Sequence, residues 1–203
     1  MDSYKTISAF AEGVFKDKGS KFLAFALPVK TEEDALKFVK QKRKEFFDAR
    51  HVCWAYMLGT ERINYRANDD GEPSGTAGKQ ILGKINSNEL TDIVIVVVRY
   101  FGGTLLGTSG LINAYKTAAA DALANAQIVE IDVEKKFSIV CNYENLNFVM
   151  KIIKDFSLKV LVQKQSLTCE FTVSCKQKFY ETAMEKLKTN FNIKITESQN
   201  FQN

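Results

Sequence analysis

Two glycine-rich stretches hold most of the residues in this chain that could bind a polar or anionic ligand. The first is Asn68-Asp-Asp-Gly-Glu-Pro-Ser-Gly-Thr-Ala-Gly78, which gathers Asp69, Asp70 and Glu72 with Ser74, Gly75, Thr76 and Gly78. The second follows Arg99 and contains Gly102, Gly103, Thr104, Gly107, Thr108 and Ser109. Eight of the chain's 11 glycines fall between Gly71 and Gly110. Glycine lets a backbone turn sharply and lets a ligand come close. A helix starting behind such a turn adds free N–H groups and the positive end of its dipole, which suits an anion. In this reading Thr104, Thr108 and Ser109 supply hydroxyl donors. Arg99 supplies charge, and Ser74, Gly75, Thr76 and Gly78 form a second donor set facing the first. The alternative stays open: a tight connection whose glycines only solve backbone geometry.

The spacing excludes the common nucleotide signatures. Gly102 and Gly107 have the separation of a P-loop, but Thr108 stands where the lysine belongs, and no G-x-G-x-x-G occurs. Asp69, Asp70 and Glu72 could hold a hard cation, yet no EF-hand spacing follows, so no metal is expected. His51 is the one histidine, with Cys53 on the same face of a strand. The pair makes an incomplete zinc site or, with Cys53 or Ser74 as nucleophile, a base–nucleophile pair. No G-x-S-x-G elbow supports the latter, and a structural histidine is the simpler reading. Arg66 and Lys116 are further cations near the loops. No cofactor is implied.

The elements that must position these loops are legible in the periodicities. Ile93–Val98 is a run of six apolar β-branched residues, so that strand is covered on both faces. Behind the second loop, Leu111, Tyr115, Ala118, Ala122 and Ala126 recur at helical spacing, with Thr108 or Ser109 as cap. Upstream, Phe10–Phe15 and Lys21–Val29 read as strands joined at Gly19-Ser20. Thr31-Glu-Glu-Asp34 resembles a capping box opening a helix to about Phe47. Leu36, Val39, Phe46 and Phe47 are expected on its inner side, and Lys37, Lys40, Lys42, Arg43 and Lys44 on a solvated face. His51–Leu58 and Arg62–Ala67 are strands around a Gly59-Thr60-Glu61 turn, and a short helix starts near Ser74–Gly78. The pattern changes near 129–134. Beyond it, the order βαββαβ in about seventy residues is the ferredoxin-like arrangement.

The chain's 203 residues suffice for one large domain or two small ones. No apolar run approaches bilayer length, MDSYKTISAF does not read as a signal peptide, and the four cysteines form no C-x-x-C pair. Free thiols in a reducing cytoplasm, with no membrane partner, are the expectation. The net charge of +4 lies wholly in residues 133–203, which carry 11 Lys against 7 acidic residues. That balance admits an RNA or ribosome partner without demanding one.

DDGEPSGTAGKQIL at 69–82 and VVRYFGGTLLGTSGLINAYKTAA at 97–119 resemble the two signature segments of the YigZ/IMPACT family, in the bacterial form, over essentially the whole chain. The resemblance implies an α+β protein with two domains. Residues 1–130 would be similar to the second domain of a small-subunit ribosomal protein. Residues 133–203 would be a ferredoxin-like domain resembling the last domain of elongation factor G. Eukaryotic relatives resemble regulators of the starvation-sensing kinase that acts on translation initiation, and they carry a further N-terminal module for partner binding. That partner interaction is not expected to transfer. The chain departs from the family pattern at Gln80 (usually Pro), Ser109 (usually Gly) and Asn113 (usually Arg), and the last removes a positive charge beside the helix start. No catalytic residue is carried over. The expected role is non-catalytic and linked to translation, through RNA, the ribosome, a translation factor or a phosphate-containing ligand. The alternative is a small phosphotransferase or hydrolase using the same loops.

Overall fold

The computed structural model describes residues 2–197. The chain divides into two compact units, one spanning Tyr4–Ile131 and the other built mainly from Asp132 onward.

The first unit is built on a five-stranded antiparallel sheet. Its strands are β2 (Ala11–Asp17), β3 (Ser20–Pro28), β4 (His51–Leu58), β5 (Asn64–Asn68) and β6 (Ile93–Tyr100). They lie in the order β2-β3-β6-β4-β5. β6 is central, antiparallel to β3 and β4, and Ile93–Val98 are fully buried. Val94, Val96 and Val98 pack with Phe25, Trp54 and Tyr56 under α1 (Glu32–Glu45). Ile93, Ile95 and Val97 pack with residues of α2 (Gly78–Ser87) and α3 (Gly107–Ala124). The unbroken apolar run therefore reflects helices on both faces of the sheet. A separate two-stranded ribbon joins β1 (Ser3–Ile7) to β7 (Ile128–Asp132). Its two strands are far apart in sequence, so no local hairpin signal announces it.

Three local expectations are corrected. The β2–β3 turn is Lys18-Gly19, both with positive φ, and Ser20 already belongs to β3. Two such residues match the twist of a tight hairpin. α1 is capped as expected, with Asp34 N donating to Thr31 Oγ1 at 3.1 Å. Leu36, Val39 and Phe46 pack against the core as expected, but the fully buried residues of α1 are Ala35, Phe38 and Lys42, and Phe47 is exposed. Lys42 is not solvated: its ammonium lies 4.0 Å from the Phe25 ring centre, with Phe10, Phe38 and Phe46 within 5.7 Å, and pairs with Glu45. A lysine stem buries well, and aromatic faces attract the cation at its end. Finally, α3 begins at Gly107, with Leu106 before it and no side-chain cap, so Thr108 and Ser109 lie inside its first turn.

The second unit runs β8 (Glu134–Cys141), α4 (Leu146–Asp155), β9 (Lys159–Gln165), β10 (Cys169–Lys176), α5 (Gln177–Lys188) and β11 (Lys194–Glu197). Its sheet order is β11-β8-β10-β9, the ferredoxin-like arrangement, with Phe137, Ile139, Phe171 and Val173 facing a core shared with α4 and α5.

Candidate functional site

The loop at 69–78 is closed by its own acid. Asp69 Oδ2 accepts from Gly75 N at 2.8 Å, and Asp69 Oδ1 accepts from Ala77 N at 3.0 Å and Gly78 N at 2.8 Å. The amides expected to face an external anion at the start of α2 are thus already bonded to a carboxylate. Thr76 is buried, and its hydroxyl donates to Pro73 O at 2.6 Å. Ser74 is exposed on the loop surface. Asp70 accepts from Val52 N at 2.6 Å through Oδ2 and pairs with Arg43 through Oδ1. The three carboxylates of this loop take separate partners. Among the described residues no three His, Cys, Asp or Glu side chains gather as a metal site.

Glu72 stitches this loop to the rest of the unit. Its side chain is 3% exposed, and Oε1 accepts from Arg99 Nη1 at 2.6 Å and from Tyr115 Oη at 2.8 Å. His51 Nε2 lies 4.0 Å from the same oxygen. His51 Nδ1 is 2.8 Å from Asp70 O, and a carbonyl can only accept, so Nδ1 carries the proton. Cys53 Sγ lies 3.0 Å from Asp69 O and 3.3 Å from Tyr115 Oη, two acceptors that share its single proton. Burial pushes both the Cys53 thiol and the Tyr115 phenol well above their ordinary values. Cys53 is therefore a neutral hydrogen-bond donor and not a poised thiolate, and the base–nucleophile reading of His51 and Cys53 has no support here. Tyr115 and Arg43 were missed as partners of this cluster. Helical spacing marks Tyr115 only as core, and nothing local pairs Arg43 with Asp70, 27 positions on.

The loop at 102–109 is different. Gly102 N donates to Ser20 Oγ at 3.1 Å, and a Cβ at Gly102 would stand 1.8 Å from Gly19 C, so this glycine serves close packing. Gly103 and Gly107 have φ of +86° and +69° with open space around them. The hydroxyls of Thr104, Thr108 and Ser109 make no hydrogen bond among the described residues, and all three are exposed. The first-turn amides of the 18-residue α3 meet no side-chain cap. Behind the loop, buried Arg99 pairs with Glu72, but its Nε finds no acceptor and its guanidinium lies 5.6 and 5.7 Å from the Phe22 and Phe101 ring centres. Arg66 instead pairs with Glu32 and sits over Trp54, and Lys116 is exposed. Among the described residues no helix is long and apolar enough to cross a membrane.

These features define a two-unit α+β protein: a helix-covered antiparallel sheet with one self-capped and one uncapped glycine loop, followed by a ferredoxin-like unit. The pattern of the Impact N-terminal domain matches residues 18–123. The chain is 35% identical over 173 residues to an IMPACT family member of Haemophilus influenzae, covering 84% of each chain. It is 32% identical over 165 residues to the IMPACT family member YigZ of Escherichia coli, covering 79% of this chain and 80% of that one. A solved structure of a hypothetical protein matches 98% of both chains at 28% identity, with a TM-score of 0.73. The chain belongs to the IMPACT family.

Proposed function

We propose that this chain acts in translation or its regulation by binding an RNA, the ribosome or a translation factor, without covalent chemistry. Residues 102–109 are its anion-facing surface, and the Lys-rich second unit is a further contact surface. The observation that carries this reading is the set of exposed donors at 104, 108 and 109, with no partner among the described residues, beside an uncapped helix start. Family membership supports the translation link, because eukaryotic relatives resemble regulators of the starvation-sensing kinase that acts on translation initiation.

The second unit narrows the kind of contact. On the sheet face away from its core, β8 places half-buried Lys136, Ser138 and Val140 beside buried Ser174, half-buried Thr172 and exposed Glu170 of β10. Sheets that read unpaired bases use aromatic side chains on the two central strands. None stands on these positions, so lysine–phosphate contact is the mode that fits. Such binding weakens steeply with salt. The test is RNA affinity measured from low to moderate salt, with a steep fall expected and a flat response refuting the reading. Melting curves with ATP or GTP and magnesium address the enzyme alternative, since a ligand that binds the native state raises Tm by mass action. No shift is expected.

A further inference from the structure

We propose that Cys141 and Cys169 are an oxidisable pair, converted by a low-molecular-weight disulfide into one cross-strand disulfide within the second unit. The two residues are direct partners in the β8–β10 register, and both are buried in one core. Directly opposed residues of an antiparallel pair have Cα atoms about 4.5–5.5 Å apart, inside the span of about 4.4–6.8 Å that a disulfide bridges.

The register permits no other pairing in this unit. Cys175 opposes Lys135, six positions from Cys141 along β8. At about 3.3 Å per residue it stands about 20 Å from both other thiols. Cys53 belongs to the first unit and is hydrogen-bonded there.

Burial, and then the neighbouring Cys169, hold the Cys141 thiol above its ordinary value, so the closed strands react slowly. The position offers a way in. Cys141 is the last residue of β8 and Cys169 the first of β10, beside a turn whose Leu167 is 95% exposed. Strand ends are where local opening is least costly. In the opened state one thiolate attacks the oxidant's disulfide, giving a mixed disulfide and one released thiol. The second thiolate then attacks the protein sulfur and releases the other thiol. Two electrons pass to the oxidant, and the two protons lost by the cysteines end on its two released thiols. The product closes residues 142–168 into a covalent loop and pins the β8–β10 ends.

The test treats the full chain with oxidised glutathione, alkylates the remaining thiols and reads peptides by mass spectrometry. The expected product is a Cys141–Cys169 cross-link, with Cys53 and Cys175 alkylated. C175A should retain the cross-link, and C141A should lose it. Stable glutathione adducts at 141 or 169 without a cross-link, a different pairing, or four free thiols after exhaustive oxidation would each overturn the proposal. The wild-type measurement stands alone should a variant fail to fold.

Discussion

The two glycine loops look alike in sequence and behave differently. Each follows a strand, each leads into a helix, and each has glycine at positive φ, at Gly71 and Gly75 in one and at Gly103 and Gly107 in the other. In the first, Asp69 supplies the negative charge that the start of α2 requires, and three amides bond to it. In the second no acid lies within the loop, and α3 starts uncapped. An acid placed inside a glycine turn makes the turn structural, whereas a turn without one leaves its donors to solvent or to a ligand.

The contrast can be broken from either side. The largest effect is expected at Glu72, which compensates the buried Arg99. Glu72→Ala leaves that cation unpaired and should cost about 3–5 kcal/mol in urea denaturation. A loss below about 1 kcal/mol would show that Arg99 finds water or another partner. Asp69→Ala releases three amides and should cost about 2 kcal/mol, read in the same assay.

Converting the open loop into a closed one is the sharper experiment. Ser109→Asp gives α3 its own anion, and should stabilise the fold by about 0.3–1 kcal/mol while weakening RNA binding. Unchanged RNA affinity would remove this loop from the binding surface. Thr108→Ala should leave stability within about 0.5 kcal/mol and still reduce affinity.

The smallest effect is a pH dependence on the closed side. Burial raises the folded-state Cys53 thiol above its ordinary value of 9.0, so the folded chain holds that proton more tightly than the unfolded one. Its contribution to stability is fully present below pH 9.0 and is lost progressively above it. Denaturation midpoints should fall as pH rises past 9.0, and less steeply in Cys53→Ala. Equal slopes would assign the fall to other groups, Tyr115 first among them.

Much of the fold was legible because its signals are local. The apolar run 93–98, the Thr31–Asp34 capping box and the helical spacing of Leu111, Tyr115 and Ala118 each sit within a few residues, and each element formed where those signals stand. The β1–β7 ribbon was not legible, since its strands are joined only by tertiary structure. Lys42 was misplaced for a related reason. Its charge suggests solvent, and only packing brings Phe10 and Phe25 around it.

At the candidate site the sequence by itself determined which residues stand in the two loops, where glycine relieves the backbone, and that one loop is acidic and the other is not. Tertiary structure alone decided what those residues do. Asp69, Asp70 and Glu72 are near neighbours with the same chemistry, yet one caps a helix, one pairs with Arg43, and one holds Arg99 and Tyr115. A carboxylate's role is set by the donors that folding brings within about 3 Å of it, and here several of those donors come from residues far away in the chain.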